Sequence, residues 1–195
     1  MKKKRILAMI LAVASCLSLA VSASAASTAR KATDFRDFDR TAWYADAVSA
    51  AVDKGLLYGK SATVIDPNGD MTRAEMAAII NRSFGCYAKA DISKYKDVSK
   101  DKWYFEDVAM AVQMGTYNGR SNSSMAPDAP ITRQEAMTVV ARALELDYDS
   151  YSKAELTQFS DAGKVSNWAM PYVRAMVGAD YIHGRGKVLA PLDNI

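Results

Sequence analysis

The chain has 195 residues and a formal net charge of +3, from 25 basic and 22 acidic side chains. Four of the basic residues and none of the acidic ones lie in the first 25 residues, which leaves 21 basic and 22 acidic residues and a net charge of −1 for the remainder. This balance gives no support to a global basic surface for nucleic acid. The remaining part of the chain, about 170 residues long, is large enough to bury a hydrophobic core.

The first 25 residues have the three parts of a secretory signal peptide. Residues 2–5 are basic, residues 6–21 are mainly apolar, and residues 23–25 form a small-x-small cleavage signal. The apolar run is short for a membrane-spanning helix, which needs roughly 20 residues. Lipoprotein processing at Cys16 is the alternative, but residues 17–21 stay apolar where a lipoprotein usually becomes polar. We therefore predict a cleaved leader over residues 1–25 and no membrane span in the mature chain.

Cysteine usage excludes a disulfide framework in the mature protein. Cys16 leaves with the predicted leader, so Cys86 is the only cysteine that remains. An exported protein with one cysteine has no internal disulfide. We expect Cys86 to serve as a small packing residue rather than as a reactive thiol.

One pattern recurs three times along the rest of the chain. It is built on a tryptophan that follows an aspartate and precedes an apolar-x-Pro sequence: Trp43, Trp103 and Trp168; Asp37, Asp97 and Asp161; residues 65–67, 125–127 and 189–191. Thr-Arg-x-Glu follows the first two prolines, at residues 72–75 and 132–135, and the sequence ends at Ile195, one residue before a third would fall. A period of about 60 residues predicts an array of similar units that pack on one another.

Each unit begins with a predicted amphipathic helix. In the first unit, Trp43, Val48 and Val52 share the apolar face. Gly55 and its equivalent Gly115 are suited to the left-handed residue that ends a helix, and Asp180 takes this place in the third unit. A second glycine follows four residues later in every unit: Gly59, Gly119 and Gly184.

A second helix is predicted to begin at each Thr-Arg-x-Glu. The threonine hydroxyl can accept from the backbone N–H three residues on, while the glutamate reaches back to the threonine N–H, as in a capping box. Apolar residues follow at helical spacing, and no segment shows the sustained alternation of a strand. Each complete unit therefore reads as helix, glycine-containing loop, helix.

The order Phe-x-Asp, Trp, two glycines, apolar-x-Pro and Thr-Arg-x-Glu resembles the S-layer homology (SLH) domain. The resemblance covers three tandem units, at residues 33–85, 93–144 and 157–195, of which the third is truncated. It implies a mainly α fold, in which helix-loop-helix units form a pseudo-threefold spindle around a central helical bundle. With a third unit that lacks its second helix, we expect residues 189–195 to be poorly packed.

The resemblance also implies a function. SLH triplets anchor exported proteins non-covalently to secondary cell wall polysaccharide on peptidoglycan, often through pyruvylated N-acetylmannosamine. The expected protein is therefore a secreted, non-catalytic module at the cell wall or S-layer, without a cofactor, whose partner is this polysaccharide. The alternatives are the N-terminal anchor of a larger exported enzyme or S-layer protein and, less favoured, a wall-active hydrolase. A tether between an outer membrane and peptidoglycan is disfavoured by the presence of three units.

Site residues carry over from the family by position, in grooves between neighbouring units. In the first two units the candidates are Asp37, Trp43, Gly59 and Arg73, then Asp97, Trp103, Gly119 and Arg133. The third supplies Asp161, Trp168 and Gly184 but no arginine; whether the cations of residues 184–187 substitute for it is left open.

Each of these residues also has a structural interpretation. Arg73 and Arg133 at the first helical position are either solvated or, as we favour, receptors for a carboxylate beside free helix N–H groups. The tryptophans are either pure core or shared between core and groove. The aspartates either accept sugar hydroxyls or, as we slightly favour, hold backbone N–H groups in a turn. The glycines serve backbone conformation first.

No metal or catalytic site is predicted. Residues 66–70 faintly suggest a calcium loop, but Met71 and Ala77 occupy the positions of the required glycine and glutamate. One histidine, His183, and one mature cysteine cannot make a common zinc site. The sequence shows no nucleophile–base pair, and none of its carboxylates has the context of a glycoside hydrolase.

Overall fold

The computed structural model describes residues 30–195, so the predicted leader lies outside the described residues. Within that range there are five α-helices and only isolated β-bridges: α1, Ala45–Asp53; α2, Arg73–Phe84; α3, Phe105–Gln113; α4, Arg133–Ala143; α5, Met170–Gly178. Single 3-10 turns precede α1 and α5, at Ala32–Asp34 and Ala162–Lys164. The predicted mainly α class is confirmed.

Both predicted capping boxes form at the starts of α2 and α4. The Glu75 N–H donates to Thr72 Oγ1 at 3.2 Å, and the Thr72 N–H donates to Glu75 Oε2 at 2.7 Å. The equivalent distances for Thr132 and Glu135 are 3.4 and 2.9 Å. These reciprocal bonds fix the first turn of each Thr-Arg-x-Glu helix.

The first helix of each later unit packs against the second helix of the unit before it. Thus α3 packs on α2 and α5 packs on α4, while α2 and α4 touch at the centre. The buried face of α3 includes Val108, Ala109 and Ala111, as its apolar spacing requires. Burial is therefore shared between units, and none of the packed helix pairs lies within a single repeat.

The N-termini of α2 and α4 are capped by the loop of the following unit. The N–H groups of Arg73 and Ala74 donate to the carbonyls of Ala129 and Pro127, at 3.0 and 2.9 Å. In the same way, the N–H groups of Arg133 and Gln134 donate to Asp193 and Pro191, at 2.8 and 2.9 Å. Helix N-termini leave such N–H groups without intrahelical partners. The second and third apolar-x-Pro loops thus each complete the capping of a helix in the preceding unit.

The repeated aspartates hold these loops in shape. Asp97 accepts from the N–H groups of Met125 and Ala126 and from Ser124 Oγ. Asp37 and Asp161 accept the two equivalent N–H groups of their own loops, at 2.7 to 3.0 Å. The middle residue of each apolar-x-Pro sequence has a positive φ, of 52° to 54°, which an L-residue adopts only when its surroundings impose it. The turn-holding role that the sequence favours for the aspartates is what the structure shows.

A closed ring of backbone hydrogen bonds joins the three units at the centre. The Ile131 N–H donates to Met71 O at 2.9 Å, the Ile195 N–H donates to Ile131 O at 3.2 Å, and the Met71 N–H donates to Ile195 O. Leu189 is completely buried. The expectation that residues 189–195 are poorly packed is therefore wrong for residues 189–191, which are buried, whereas residues 192–194 are exposed. The segment also caps α4 and closes the ring through its backbone.

The loop glycines sit where a side chain would collide with the core. Gly119 has a φ of +81°, and an added Cβ would lie 2.7 Å from Tyr95 Cε1 and 2.8 Å from Ser124 O. Gly59 and Gly184 face Phe35 and Phe159 in the same way. The aromatic residue that opens each unit thus packs directly on the bare glycine.

Gly119→Ala should therefore destabilise the protein more than Gly115→Ala. Gly115 also has a positive φ, of +79°, but nothing lies within 4 Å of its added Cβ. We expect Gly115→Ala to lower the free energy of unfolding by about 1–2 kcal/mol, and Gly119→Ala by about 1–3 kcal/mol more because of the collision. Urea unfolding of both variants measures the difference. Equal losses would contradict this account of Gly119.

Candidate functional site

One groove is built from all three units at the junction of α2, α4 and the second glycine loop. We call it the Arg73 groove; its volume is about 510 Å³. Arg73 comes from the first unit, Gly119 from the second and Trp168 from the third. The remaining charged residues of its lining are Arg120, Glu135 and Arg142. With three cations and one carboxylate, the groove has an excess of positive charge.

Arg73 forms the floor of this groove and is almost completely buried. Its Nε donates to Met125 O at 2.9 Å, and its Nη1 donates to Glu135 Oε1 at 3.0 Å. The guanidinium also lies 5.1 Å from the centre of the Tyr117 ring. Burial lowers the pKa of Arg73, while the charge of Glu135 opposes that shift. A guanidinium keeps its proton in such a setting, so a buried positive charge lies at the base of the groove.

Glu135 connects Arg73 to a second arginine at the rim. Arg120 donates from Nε to Glu135 Oε1 at 2.9 Å and from Nη2 to Oε2 at 3.0 Å. Arg120 Nη2 also reaches Pro130 O at 3.2 Å. One carboxylate is therefore shared by two guanidinium groups, which leaves net positive charge at the cluster.

Arg142 and Trp168 complete the walls. Arg142 stacks on the Tyr172 ring at 4.6 Å and donates to Tyr172 Oη and to Thr116 O, at 3.1 and 3.3 Å. Trp168 is 52% exposed although it borders the groove. An exposed indole beside fixed guanidinium groups offers an aromatic face and charge to the same ligand.

A second groove, of about 670 Å³, lies one unit earlier, and we call it the Trp103 groove. Gly59, Lys60, Glu75, Arg82 and Trp103 occupy the positions that Gly119, Arg120, Glu135, Arg142 and Trp168 have in the Arg73 groove. Its charged lining residues are two cations and two carboxylates: Lys60 and Arg82, and Asp66 and Glu75. The two grooves therefore share a plan and differ in charge.

Each groove thus combines predicted site residues from different units, rather than all those of one unit. The Arg73 groove holds Arg73, Gly119 and Trp168, and the Trp103 groove holds Gly59, Trp103 and Trp43. Asp37, Asp97 and Asp161 line neither groove, because they bond to the loops. Hydrogen bonding to those loops holds the pKa of each below its usual value of 3.8, with Ile65 and Leu189 the main donors for Asp37 and Asp161.

Arg133 and Gly184 also lie outside the two grooves. The Arg133 Nε donates to Leu189 O at 3.0 Å, as the Arg73 Nε does to Met125 O. Burial is the main influence on Arg133 and lowers its pKa, and the charge of Arg185 adds to that effect. A ligand role for Arg133 and Gly184 stays a prediction.

The tryptophans are mainly on the surface, where Trp43, Trp103 and Trp168 are 93, 60 and 52% exposed. The pure-core interpretation is therefore wrong. The core position is taken by the preceding aromatic of the unit, Phe35, Tyr95 or Phe159, each less than 5% exposed. Because these rings fill the space against the loop glycines, the tryptophans remain available at the grooves.

The idea that Arg73 stands beside free helix N–H groups is also wrong. The N–H groups of Arg73 and Ala74 are occupied by carbonyls of the next unit, and that of Glu75 by Thr72. The helix terminus is thus capped by protein, and charge in the groove comes from side chains.

Sequence reasoning missed two charged residues of the Arg73 groove, Arg120 and Arg142, and the second role of Glu135. A signal for the first was present, because a basic residue follows the second glycine of every unit: Lys60, Arg120 and Arg185. A signal for Arg142 was its equivalence to Arg82, seven residues after each capping glutamate.

The comparison with known families agrees with this repeated architecture. The S-layer homology domain matches residues 34–77, 94–137 and 158–195, together more than half of the chain. The chain belongs to the S-layer homology family. SLH domains anchor surface proteins to the cell wall, so this is a protein of the cell surface or cell wall.

The proteins that this chain resembles include both surface-layer proteins and enzymes. The chain is 32% identical to the surface-layer 125 kDa protein of Lysinibacillus sphaericus, over 88% of this chain and 14% of that protein. It is 24% identical to an endoglucanase of Bacillus sp. (strain KSM-635), over 93% of this chain and 19% of the enzyme. It is 28% identical to a cell surface protein of Thermoanaerobacter kivui, over 84% of this chain and 22% of that protein. The SLH chain thus spans less than a quarter of each of these relatives.

Other kinds of site find no support in the part of the chain that the structure describes. No cluster of histidine, cysteine, aspartate and glutamate there could hold a metal ion. Across residues 30–195, no helix combines the length and apolar character needed to cross a membrane. Cys86 is a free, partly buried thiol whose Sγ donates to Met110 O at 3.5 Å.

Acid should weaken the Arg73–Glu135–Arg120 cluster. Burial alone would raise the pKa of Glu135, but hydrogen bonds from Arg120 and Thr132 and the charge of Arg73 outweigh it, so the pKa lies below its usual 4.5. A depressed folded-state pKa gives stability that is present above about pH 4.5 and is lost as the pH falls through the folded value. We expect Glu135→Gln to cost about 1.5–3 kcal/mol at pH 7.

Thermal unfolding from pH 7 to pH 3 tests this expectation. The gap in melting temperature between wild type and Glu135→Gln should narrow below about pH 4.5. Glu106→Gln is the matched control, because Glu106 pairs with Lys89 at the surface. A gap that stays constant down to pH 3 would show that Glu135 is not the group responsible.

Proposed function

We propose that this SLH region anchors its protein by binding an acidic secondary polysaccharide of the cell wall in the Arg73 groove. The observation that carries the proposal is the excess of guanidinium groups over carboxylates beside an exposed indole. Carboxylate-bearing sugars, such as those with a pyruvyl ketal, present both an anion and a flat apolar face. The groove offers a partner to each.

Three parts of the groove lining would each recognise a different part of the ligand. Guanidinium groups bind carboxylates through paired, charge-assisted hydrogen bonds. Trp168 supplies a rigid surface against which the C–H face of a sugar ring can pack. Gly119 contributes only backbone to the lining, because Tyr95 occupies the space that a side chain would need. A neutral sugar would pack on the indole of Trp168 but would not neutralise the excess positive charge of the groove.

The wider context favours a non-catalytic anchoring role. The matched region makes up only 14% of a surface-layer protein and 19% of an endoglucanase, as expected for a module shared by proteins of different activity. We infer that the cargo is a surface-layer protein or an exported enzyme. The predicted leader at residues 1–25 is consistent with export.

Binding to purified cell walls tests the anchoring proposal. The protein should sediment with peptidoglycan that carries its secondary polysaccharide. Hydrofluoric acid treatment, which removes the polysaccharide, should abolish most of the sedimentation. Raising the salt concentration should weaken binding, because the attraction is partly electrostatic. Equal sedimentation with both wall preparations would contradict a polysaccharide ligand.

Tryptophan variants test which groove is used. Trp168→Ala should weaken binding to polysaccharide-bearing walls by about tenfold, since stacking on an aromatic ring supplies roughly 1 kcal/mol or more. Trp43→Ala is the matched control, because Trp43 is nearly fully exposed and lies outside the Arg73 groove. Fluorescence-detected sedimentation of both variants at several wall concentrations gives the affinities. A greater loss for Trp43→Ala would move the site away from Trp168.

A further inference from the structure

The basic residue after each loop glycine has a repeated structural setting. Lys60 Nζ donates to Glu75 Oε2 at 2.8 Å and to Asp70 O at 3.1 Å. Arg120 makes the same two kinds of bond, to Glu135 and to Pro130 O. A cation is therefore tethered at the rim of both grooves by the glutamate of the capping box.

Arg73 and Arg120, which share Glu135, differ sharply in access. The Arg73 side chain is 6% exposed, whereas the Arg120 side chain is 40% exposed. Arg73 is committed to the Met125 carbonyl and to Glu135, so much of its bonding capacity holds two units together. A ligand that enters from solvent therefore reaches Arg120 before Arg73.

Arg120 also retains bonding capacity. Its bonds to Glu135 and Pro130 use Nε and Nη2, and Nη1 takes no part in them. Because a guanidinium has five N–H donors, Nη1 can meet a second carboxylate while Nε still bonds Glu135. Glu135 stays paired with Arg73 in that arrangement, so no buried charge loses its partner.

We propose that Arg120 is the residue that selects an acidic ligand over a neutral one, by contacting the ligand carboxylate at the rim while Arg73 forms the floor. This inference rests on the proposed function and names the determinant of its specificity. Lys60 does not provide the same selectivity in the Trp103 groove, where the cations and carboxylates of the lining are equal in number.

The test compares two small probes that differ by one acidic group. Isothermal titration calorimetry on the full chain measures the affinities for methyl N-acetylmannosaminide and for its 4,6-pyruvyl ketal. The readout is the ratio of the two affinities, which a purely structural defect does not change. In the wild type we expect the ketal to bind more tightly.

Arg120→Gln should reduce that ratio by about tenfold or more, the scale of one charge-assisted hydrogen bond. Arg120→Lys should keep a substantial part of it, because Lys60 shows that a lysine fits this position and makes both tethering bonds. Lys60→Gln is the control in the other groove and should leave the ratio within about twofold, well below a tenfold change. Melting temperatures should confirm that the exposed substitutions leave the fold intact.

The outcomes separate this inference from the function on which it rests. Equal affinity of the wild type for both probes would overturn the proposed function and, with it, the role of Arg120. A wild-type preference that survives in Arg120→Gln would overturn the role of Arg120 alone. So would a loss in Arg120→Lys as large as in Arg120→Gln, or a parallel weakening of both probes with an unchanged ratio.

Discussion

The structure depends on one interaction, the capping of a helix N-terminus by the loop of the next unit. The first N–H groups of α2 and α4 need acceptors, and carbonyls of the following apolar-x-Pro loop supply them. The same loop is held by its own aspartate in a left-handed turn. Helix and loop therefore stabilise each other across the unit boundary. A unit of about 60 residues, which would be marginal alone, gains its order from its neighbour.

This junction also creates the candidate site. The N-terminus of α2 lies against the second loop, so Arg73 lines a groove shared with other units. The glycine and glutamate of that groove belong to the second unit, and its tryptophan belongs to the third. The capping glutamate then has two tasks. Glu135 closes the first turn of α4 and neutralises part of the charge of Arg73 and Arg120. Under the proposed function, the structural and binding roles would meet in this one carboxylate.

The two grooves show how one repeated plan can have different chemistry. Equivalent positions carry arginine in one groove and lysine in the other, and Asp66 adds a carboxylate to the second. The resulting charge balance favours an acidic ligand in the Arg73 groove. The exposed tryptophans offer a flat apolar face for a sugar ring in either groove. Specificity is therefore expected to lie in the charged rim rather than in the aromatic wall.

Local pattern determined much of this protein. The repeat period, the helix-loop-helix order, the capping boxes, the left-handed Asp180 and the turn-holding aspartates all follow from residue types at fixed spacing, and none of them needs a contact with another unit. Tertiary structure decided which residues share a groove, that Arg73 is buried, and that the tryptophans are exposed. It also decided that residues 189–191 are buried and that Ile195 closes the backbone ring. The physical reason is that these outcomes depend on contacts between units, where a carbonyl or an aromatic ring of one repeat fills the space left by another, and no periodicity within a single repeat specifies that partner.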